Sequence, residues 1–200
     1  YKVEFIFVGN NATEEVMNWI MRNGIKYMDF RTEPQPPYPQ NIGYIYRAWN
    51  YAGMRSTGDI IVFINSDMYP AKGWLEALVD KLSNLDVVTS RLVESGKLRS
   101  LLPHVVVKNF GRSPAEFRAE EFEKFAESIK RNVIVYGGAF MPLAIYKDIF
   151  VMSGGYPDGN VEGMSGDQYF FYKILKSMGI EHITAMDSVC YHIQEGEVDA

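Results

Sequence analysis

An α/β domain with a mostly parallel sheet is the fold class that the 200-residue sequence predicts, on three observations. Apolar, β-favouring runs alternate with segments of helical periodicity from the first residues onward. Residues 59–65 read Asp-Ile-Ile-Val-Phe-Ile-Asn, a nearly unbroken apolar run of the kind that a central strand buried on both faces requires. The composition, 47% hydrophobic and 14% aromatic against 22% charged, supplies a full core and excludes a disordered chain. The length suits a single domain over residues 1–200.

The elements follow in order. Residues 3–8, Val-Glu-Phe-Ile-Phe-Val, read as a strand, and Gly9-Asn10-Asn11 as a turn in which Asn11 suits a left-handed conformation. Thr13 opens a helix to about Arg22, with Glu14 and Glu15 in its first turn. Ile25 to Phe30 is a short strand. Residues 34–39, Pro-Gln-Pro-Pro-Tyr-Pro, admit neither helix nor inner strand, because proline lacks the amide proton that both need. A helix over about 43–56 places Ile45, Ala48, Trp49 and Ala52 on one face, and Gly58 stops it. After the strand at 59–65 come a helix at about 72–83, a strand near 86–92 and an undefined stretch at 94–113. A charged helix at 114–131 carries one apolar stripe of Phe122, Phe125, Ala126 and Ile129. Residues 133–141 read as a strand, 143–152 as a short helix and 153–165 as a glycine-rich loop. A helix at 166–178 leads to strands at 180–185 and 189–193. No internal repeat or second-domain linker is visible.

Charge narrows the partners. With 20 basic and 25 acidic side chains the net charge is −5, which argues against nucleic acid or an anionic membrane surface as partner and for small or neutral ones. Cys190 is the sole cysteine, so no intramolecular disulfide can form, and a reducing compartment is favoured. The longest uncharged run, Val133 to Tyr146, is interrupted by Gly137, Gly138 and Pro142 and is too short for a membrane span. No secretory signal is recognisable, and the chain begins at Tyr1, so an upstream segment is expected. The phosphate-loop and dinucleotide-binding glycine patterns, the nucleophile elbow and a C-x-x-C pair are all missing from the sequence.

In open α/β sheets ligands gather at the carboxyl ends of strands, which singles out Asn65-Ser66-Asp67. Asp67 offers a hard oxygen to a divalent cation that would bridge a diphosphate; the alternative is a cap for the helix after Pro70. Asp167 stands ahead of Phe170, Phe171, Ile174, Leu175 and Met178, which puts a carboxylate on an apolar helix face. It either answers the helix dipole or waits at the rim of a cleft as a general base, with dipole and burial pulling its pKa in opposite directions. His192 lies between an apolar strand and an acidic tail and is either structural or a metal ligand; His104 and His182 carry less support.

Taken in order, these pieces resemble a family 2 glycosyltransferase of the GT-A fold, Rossmann-like with a mixed, mostly parallel sheet flanked by helices. Val8-Gly9-Asn10-Asn11-Ala12-Thr13-Glu14 resembles the family's V-D-D-G-S-T-D segment, with Gly9 and Asn10 in place of both acids. Asn41-Ile42-Gly43, Ala48-Trp49-Asn50, Ser56-Thr57-Gly58-Asp59-Ile60 and Asn65-Ser66-Asp67 look like its N-x-G, A-x-N, A-x-G-[DE]-[YI] and D-x-D series, although the first two stand one residue further apart than usual. Gly154-Gly155-Tyr156-Pro157 looks like its G-G-[FY]-[DP] turn, Gly166-Asp167 like its [EG]-D helix start, and Cys190-Tyr191-His192 like its C-terminal histidine segment. By the same comparison residues 1–8 correspond to the family's second strand, and the first βα unit is expected upstream.

The resemblance implies a hexosyltransferase-like enzyme of polysaccharide biosynthesis that moves a sugar from a nucleoside-diphosphate sugar to a hydroxyl of a glycan or lipid-linked acceptor, with inversion. Asp167 is then the catalytic base, and Asp67 with His192 holds Mn or Mg. Asn10, Asn41, Asn65, Ser66 and Asp67 face the donor, and Gly138, Gly155 and Gly166 leave room for sugar or acceptor. The donor half spans about 1–92 and the acceptor half about 93–200, with the 114–131 helix bordering the acceptor. The expected location is the cytoplasm, including the cytoplasmic face of a membrane. Two rivals remain: a non-catalytic nucleotide-sugar or glycan-binding domain, which the missing acids favour, and a nucleotidyltransferase of related fold.

Overall fold

The computed structural model describes residues 1–31, 42–97 and 101–194; Asn41, the proline-rich segment 34–39 and the acidic tail lie outside them. Two units are distinguished, each drawing on both halves of the sequence. The first takes the described residues up to Ile61 together with Tyr146–Gly179, the second those of Val62–Ile145 and from Ile180 onward.

In the first unit, β1 (Phe7–Asn10) and β2 (Tyr27–Phe30) pair in parallel, Phe7 opposite Tyr27 and Asn10 opposite Phe30. Between them in sequence runs α1 (Glu14–Arg22), whose Met17 and Ile20 are buried and whose first turn is capped by Thr13, the hydroxyl accepting from Val16 N–H. Asn11 takes the expected left-handed conformation with φ 51°. The strand read at 3–8 begins only at Phe7, leaving Val3 and Phe5 exposed. Glu4 anchors this stretch instead, accepting from Lys26 Nζ and from the amide and hydroxyl of Thr57.

The helix read at 43–56 is α2 (Ile42–Arg55), and one of its faces is joined to the turn after α5 (Lys147–Met152). Asn50 Nδ2 donates to Tyr156 O and Asn50 Oδ1 accepts from Tyr156 N–H, both at 2.8 Å, so a side-chain amide pairs with main chain as a neighbouring strand would. Arg47 Nε donates to Asp158 Oδ1 at 2.6 Å, and Nη2 donates to Oδ2. Gly155 (φ 79°) makes the pairing possible, since a Cβ there would stand 2.4 Å from Asn50 Oδ1.

The second unit is built on a seven-stranded sheet of β3 (Ile60–Phe63), β4 (Met68–Pro70), β5 (Asp86–Glu94), β6 (Val106–Val107), β7 (Ile134–Tyr136), β8 (Leu143–Tyr146) and β9 (Glu181–His192). Its order is β3-β8-β5-β9-β4, with β6 on β5 and β7 on β9. The long parallel pair β5–β9 is its spine, with a register shift between Ser90 and Arg91. β8 runs antiparallel to β5, and β4 and β7 run antiparallel to β9, so the sheet is mixed and less parallel than the apolar runs imply. The two strands read at 180–185 and 189–193 are the single β9. The sequence reads Leu143–Met152 as one helix; its first four residues instead form β8, three of them buried. A Leu-Ala-Ile-Tyr run buried in this way is apolar throughout and has no period to separate strand from helix.

On one face of the sheet Ala71, Val93, Val189, Tyr191 and Ile193 pack against Phe110 and against Phe122 and Ala126 of α4 (Ala119–Ile129), the stripe read from the sequence. On the other, Leu92, Cys190 and Ala139 pack with Ile64 and Met68. Tyr191 is fully buried. Its ring stacks on Phe117 at 5.1 Å, and its hydroxyl accepts from Phe110 N–H at 3.0 Å and donates to Gly111 O at 2.6 Å. The helix read at 72–83 shortens to α3 (Trp74–Val79), with Leu78 buried.

Tyr191→Phe keeps the ring and strands one buried donor and one buried acceptor, so urea unfolding is expected to show a loss of about 1–3 kcal/mol at unchanged m; an unaltered midpoint would mean that water reaches those groups. Asn50→Ala removes both bonds to Tyr156, and amide exchange at Tyr156 is expected to accelerate ~10-fold or more. Unchanged exchange would show that the turn holds itself.

Candidate functional site

Asp167 owes its place to the start of a helix. Ser165 and Gln168 form a reciprocal cap, the Ser165 hydroxyl accepting from Gln168 N–H and Gln168 Oε1 accepting from Ser165 N–H, each at 3.3 Å. One α-turn follows, α6 (Gly166–Tyr169), and then a π-helical stretch, Phe170–Leu175, where the sequence reads one regular helix. Asp167 therefore sits in the first turn beside buried Phe170 and Phe171.

The two oxygens of Asp167 are unlike. Oδ2 accepts from the Tyr46 hydroxyl at 3.3 Å, and the same hydroxyl accepts from Asp167 N–H at 3.2 Å. Oδ1 is buried with no partner among the described residues. Burial raises the carboxyl pKa to about 6, against the pull of the Tyr46 hydrogen bond. Burial and the neighbouring Asp167 charge push the Tyr46 phenol upward, so it stays a donor.

Aromatic rings hold this pair. Tyr46 stacks on Tyr156 at 5.5 Å and 13°, Tyr156 lies 4.2 Å from Phe170, and Trp49 lies 5.1 Å from Tyr156. Sequence reading missed Tyr46 because a tyrosine on an amphipathic helix looks like core. The signal was in the spacing: Gly43, Tyr46, Arg47 and Asn50 fall at offsets that share one helix face, and Gly43 and Asn50 already belong to motifs.

In the second unit the turn after β3 carries Asn65-Ser66-Asp67. Asn65 O accepts from Met68 N–H at 3.3 Å, and Asp67 O accepts from Ile193 N–H at 3.0 Å. Because Met68 pairs with His192 across β4 and β9, Asp67 Oδ2 comes to 3.0 Å from His192 Nε2, with 24% and 13% of those side chains exposed. Asp67 does not cap a helix: β4 follows it directly, and the residue preceding α3 is Gly73.

The pair offers a hard oxygen and an imidazole nitrogen, donor types that Mn2+ accepts. Among the described residues no group of three or more His, Cys, Asp or Glu side chains converges. Burial pushes the Cys190 thiol upward and keeps it protonated, unsuited to join the pair. His182 serves the core: Nε2 lies 3.0 Å from the Thr89 hydroxyl, and burial lowers its pKa to about 4. His104 Nε2 lies 3.2 Å from Tyr136 O.

The remaining sequence-derived residues divide. Asn10 ends β1, its Oδ1 accepting from Asn11 Nδ2 at 3.4 Å, and Ser66 is exposed. At Gly138, Gly155 and Gly166 the position that a Cβ would take lies against protein atoms. A Cβ at Gly138 would stand 2.1 Å from Thr184 Oγ1, one at Gly155 would strike Asn50, and one at Gly166 would stand 2.3 Å from Tyr46 Cε2. The gaps these glycines leave are filled by protein side chains.

The model of the family Glycosyl transferase family 2 matches residues 39–150, more than half of the chain; the match includes Asn65-Ser66-Asp67 and ends before Asp167 and His192. No curated protein sequence matches. Among solved structures the chain is similar to GalNAc-T7, crystallised with UDP, GalNAc and Mn2+, at a TM-score of 0.56 and 13% identity. That likeness covers 94% of this chain and 37% of the other, and at such identity it concerns the fold, which is GT-A. With the motif series inside the matched span and the fold in agreement, the chain belongs to glycosyl transferase family 2.

Proposed function

We propose that the protein is an inverting glycosyltransferase that moves a sugar from a nucleoside-diphosphate sugar to a hydroxyl of a glycan or lipid-linked acceptor. The observation that carries this reading is Asp167 Oδ1, a buried carboxylate oxygen without a donor among the described residues, on a group with its pKa raised to about 6. Such a group is mostly ionised at pH 7 yet more basic than an exposed carboxylate, which suits a general base. The acceptor O–H proton passes to Oδ1 while the acceptor oxygen bonds to the anomeric carbon. The bond from that carbon to the diphosphate breaks on the opposite face, so the configuration inverts. General-base help of this kind is worth about 10²–10⁴ in rate, and positioning supplies much of the rest.

Asp67 and His192 would hold Mn2+ or Mg2+, which when bound offsets negative charge on the departing diphosphate. Asn10, Asn41, Asn65 and Ser66 are assigned to the donor, with Asn10 offering an amide where the family carries an acid. Because GalNAc-T7 was crystallised with UDP and Mn2+, UDP-sugars are the first donors to test. The donor half is assigned to about 1–92, the acceptor half to about 93–200, and the location to the cytoplasm. No helix among the described residues is long and apolar enough to cross a membrane. The neutral Gly9, Asn10 and Asn65 favour a second reading, a non-catalytic nucleotide-sugar-binding domain; transfer by the wild-type chain eliminates it.

Asp167→Asn is expected to lower transfer at least ~100-fold with nucleotide binding nearly unchanged; transfer within tenfold of wild type would overturn the base assignment. The same variant tests the pKa by linkage. A carboxyl raised from 3.8 to about 6 in the folded state binds its proton more tightly there than when unfolded. Its stabilising contribution is full below about pH 4 and lost as pH rises through about 6. Asp167→Asn is therefore expected to be more stable than wild type at pH 7, by up to ~3 kcal/mol, and to lose that advantage towards pH 4. Asp67→Ala is expected to abolish the extra thermal stabilisation that Mn2+ confers with UDP in a panel of nucleotides and nucleotide-sugars. A shift in that variant that persists with Mn2+ and vanishes with chelator would remove Asp67 from the metal site.

A further inference from the structure

We infer that Tyr46 is the positioning residue of the reaction: its hydroxyl locks the Asp167 carboxylate so that Oδ2 is occupied and Oδ1 is the oxygen that takes the proton. The inference rests on the reading of Asp167 as the base. The Tyr46 hydroxyl makes two hydrogen bonds, both to Asp167. A phenol oxygen has one proton to give and lone pairs to offer. Asp167 N–H takes a lone pair at 3.2 Å, which aims the phenol proton at Asp167 Oδ2, 3.3 Å away. Main chain and side chain of one residue are thus tied to a single atom, so the amide fixes the direction of the phenol proton and that proton holds Oδ2. The bonds are long, as catalytic contacts often are before substrate binds.

The hydroxyl is itself immobilised. Tyr46 is 3% exposed. One side of its ring stacks on Tyr156, Trp49 meets it edge-on at 5.6 Å and 67°, and Gly166 lies so near that a Cβ would come within 2.3 Å of Cε2. The glycine immediately before Asp167 is therefore what admits the ring that holds Asp167. Packing alone would be served by phenylalanine, and at Gly166 the lack of a Cβ is what permits so close an approach. Among the described residues the titratable groups that face Asp167 are Tyr46 from α2 and Tyr156 from the turn after α5. Tyr156 is raised by burial and stays neutral, which leaves Tyr46 as the donor that favours the ionised carboxylate.

The test is a ¹³Cγ-aspartate NMR titration of the whole chain, with the Asp167 resonance assigned by its loss in Asp167→Asn. Wild-type Asp167 is expected to titrate near pH 6. Tyr46→Phe keeps the ring and removes the donor, so the midpoint is expected to rise by about one unit. The acid limb of the transfer-rate profile should rise with it, and kcat should fall ~10-fold with little change in KM. Gly166→Ala leaves the hydroxyl in the sequence but displaces the ring, and it is expected to reproduce the shift; the double variant is expected to add nothing further. A merely structural tyrosine would lower stability and leave the midpoint in place. If Asp167→Asn abolishes transfer while Tyr46→Phe titrates and turns over within twofold of wild type, the Tyr46 inference falls and the base reading stands. If Asp167→Asn retains transfer within tenfold, the base reading falls and takes this inference with it. Should Tyr46→Phe fold poorly, an unshifted midpoint in Gly166→Ala is sufficient to overturn the proposal.

Discussion

The amide of Asn50 pairing with the main chain of Tyr156 is the constraint on which the candidate base depends. A side chain with one acceptor and one donor in a plane can replace a strand neighbour at a point where no strand runs, and it satisfies both polar groups of a buried residue at once. With that contact made, Tyr156 can lie under Tyr46, Tyr46 can lie on Gly166, and the hydroxyl of Tyr46 falls between the amide and carboxylate of Asp167. Each link is a close approach that a methyl group would block, at Gly155 and again at Gly166.

The same arrangement explains why a carboxylate tolerates its position. Burying an ionised group costs several kcal/mol unless something compensates, and here the compensation is partial. One oxygen has a phenol donor and the other has none among the described residues. A fully satisfied carboxylate would sit low in pKa and make a poor base, whereas one without any donor would remain protonated at neutral pH. A single donor leaves the group between these limits, and the sheet-borne pair Asp67–His192 contrasts with it: there two polar side chains face each other directly at the end of β9.

Much of this was legible in the sequence because it was local. Thr13 and Asn11 announce α1 and its turn, the 59–65 run announces a strand, although β3 ends the sheet order and is not central, and Asp67, Asp167 and His192 stand out as polar residues beside apolar elements. What was not legible depends on partners far away in the chain. Leu143–Tyr146 lacks a period and becomes strand because β5 is there to pair with it. Val3 and Phe5 look like strand residues, yet ladder pairing begins only at Phe7. The glycines at 138, 155 and 166 suggest empty space, and only the fold reveals that Thr184, Asn50 and Tyr46 fill it. Tyr46 was hidden for the same reason: its chemistry arises from a residue 121 positions later.

The widened turn at Phe170–Leu175 has a further meaning. A π-helical stretch is equivalent to an α-helix into which one residue has been inserted. Such an insertion rotates the preceding turn relative to the following one while both remain helical. In this protein the turn before the insertion carries the carboxylate and the widened stretch itself anchors the helix through Phe171 and Leu175. Aim and anchorage are therefore separately adjustable: the width of one turn sets the direction of Asp167 while the apolar side chains beneath it keep their seats.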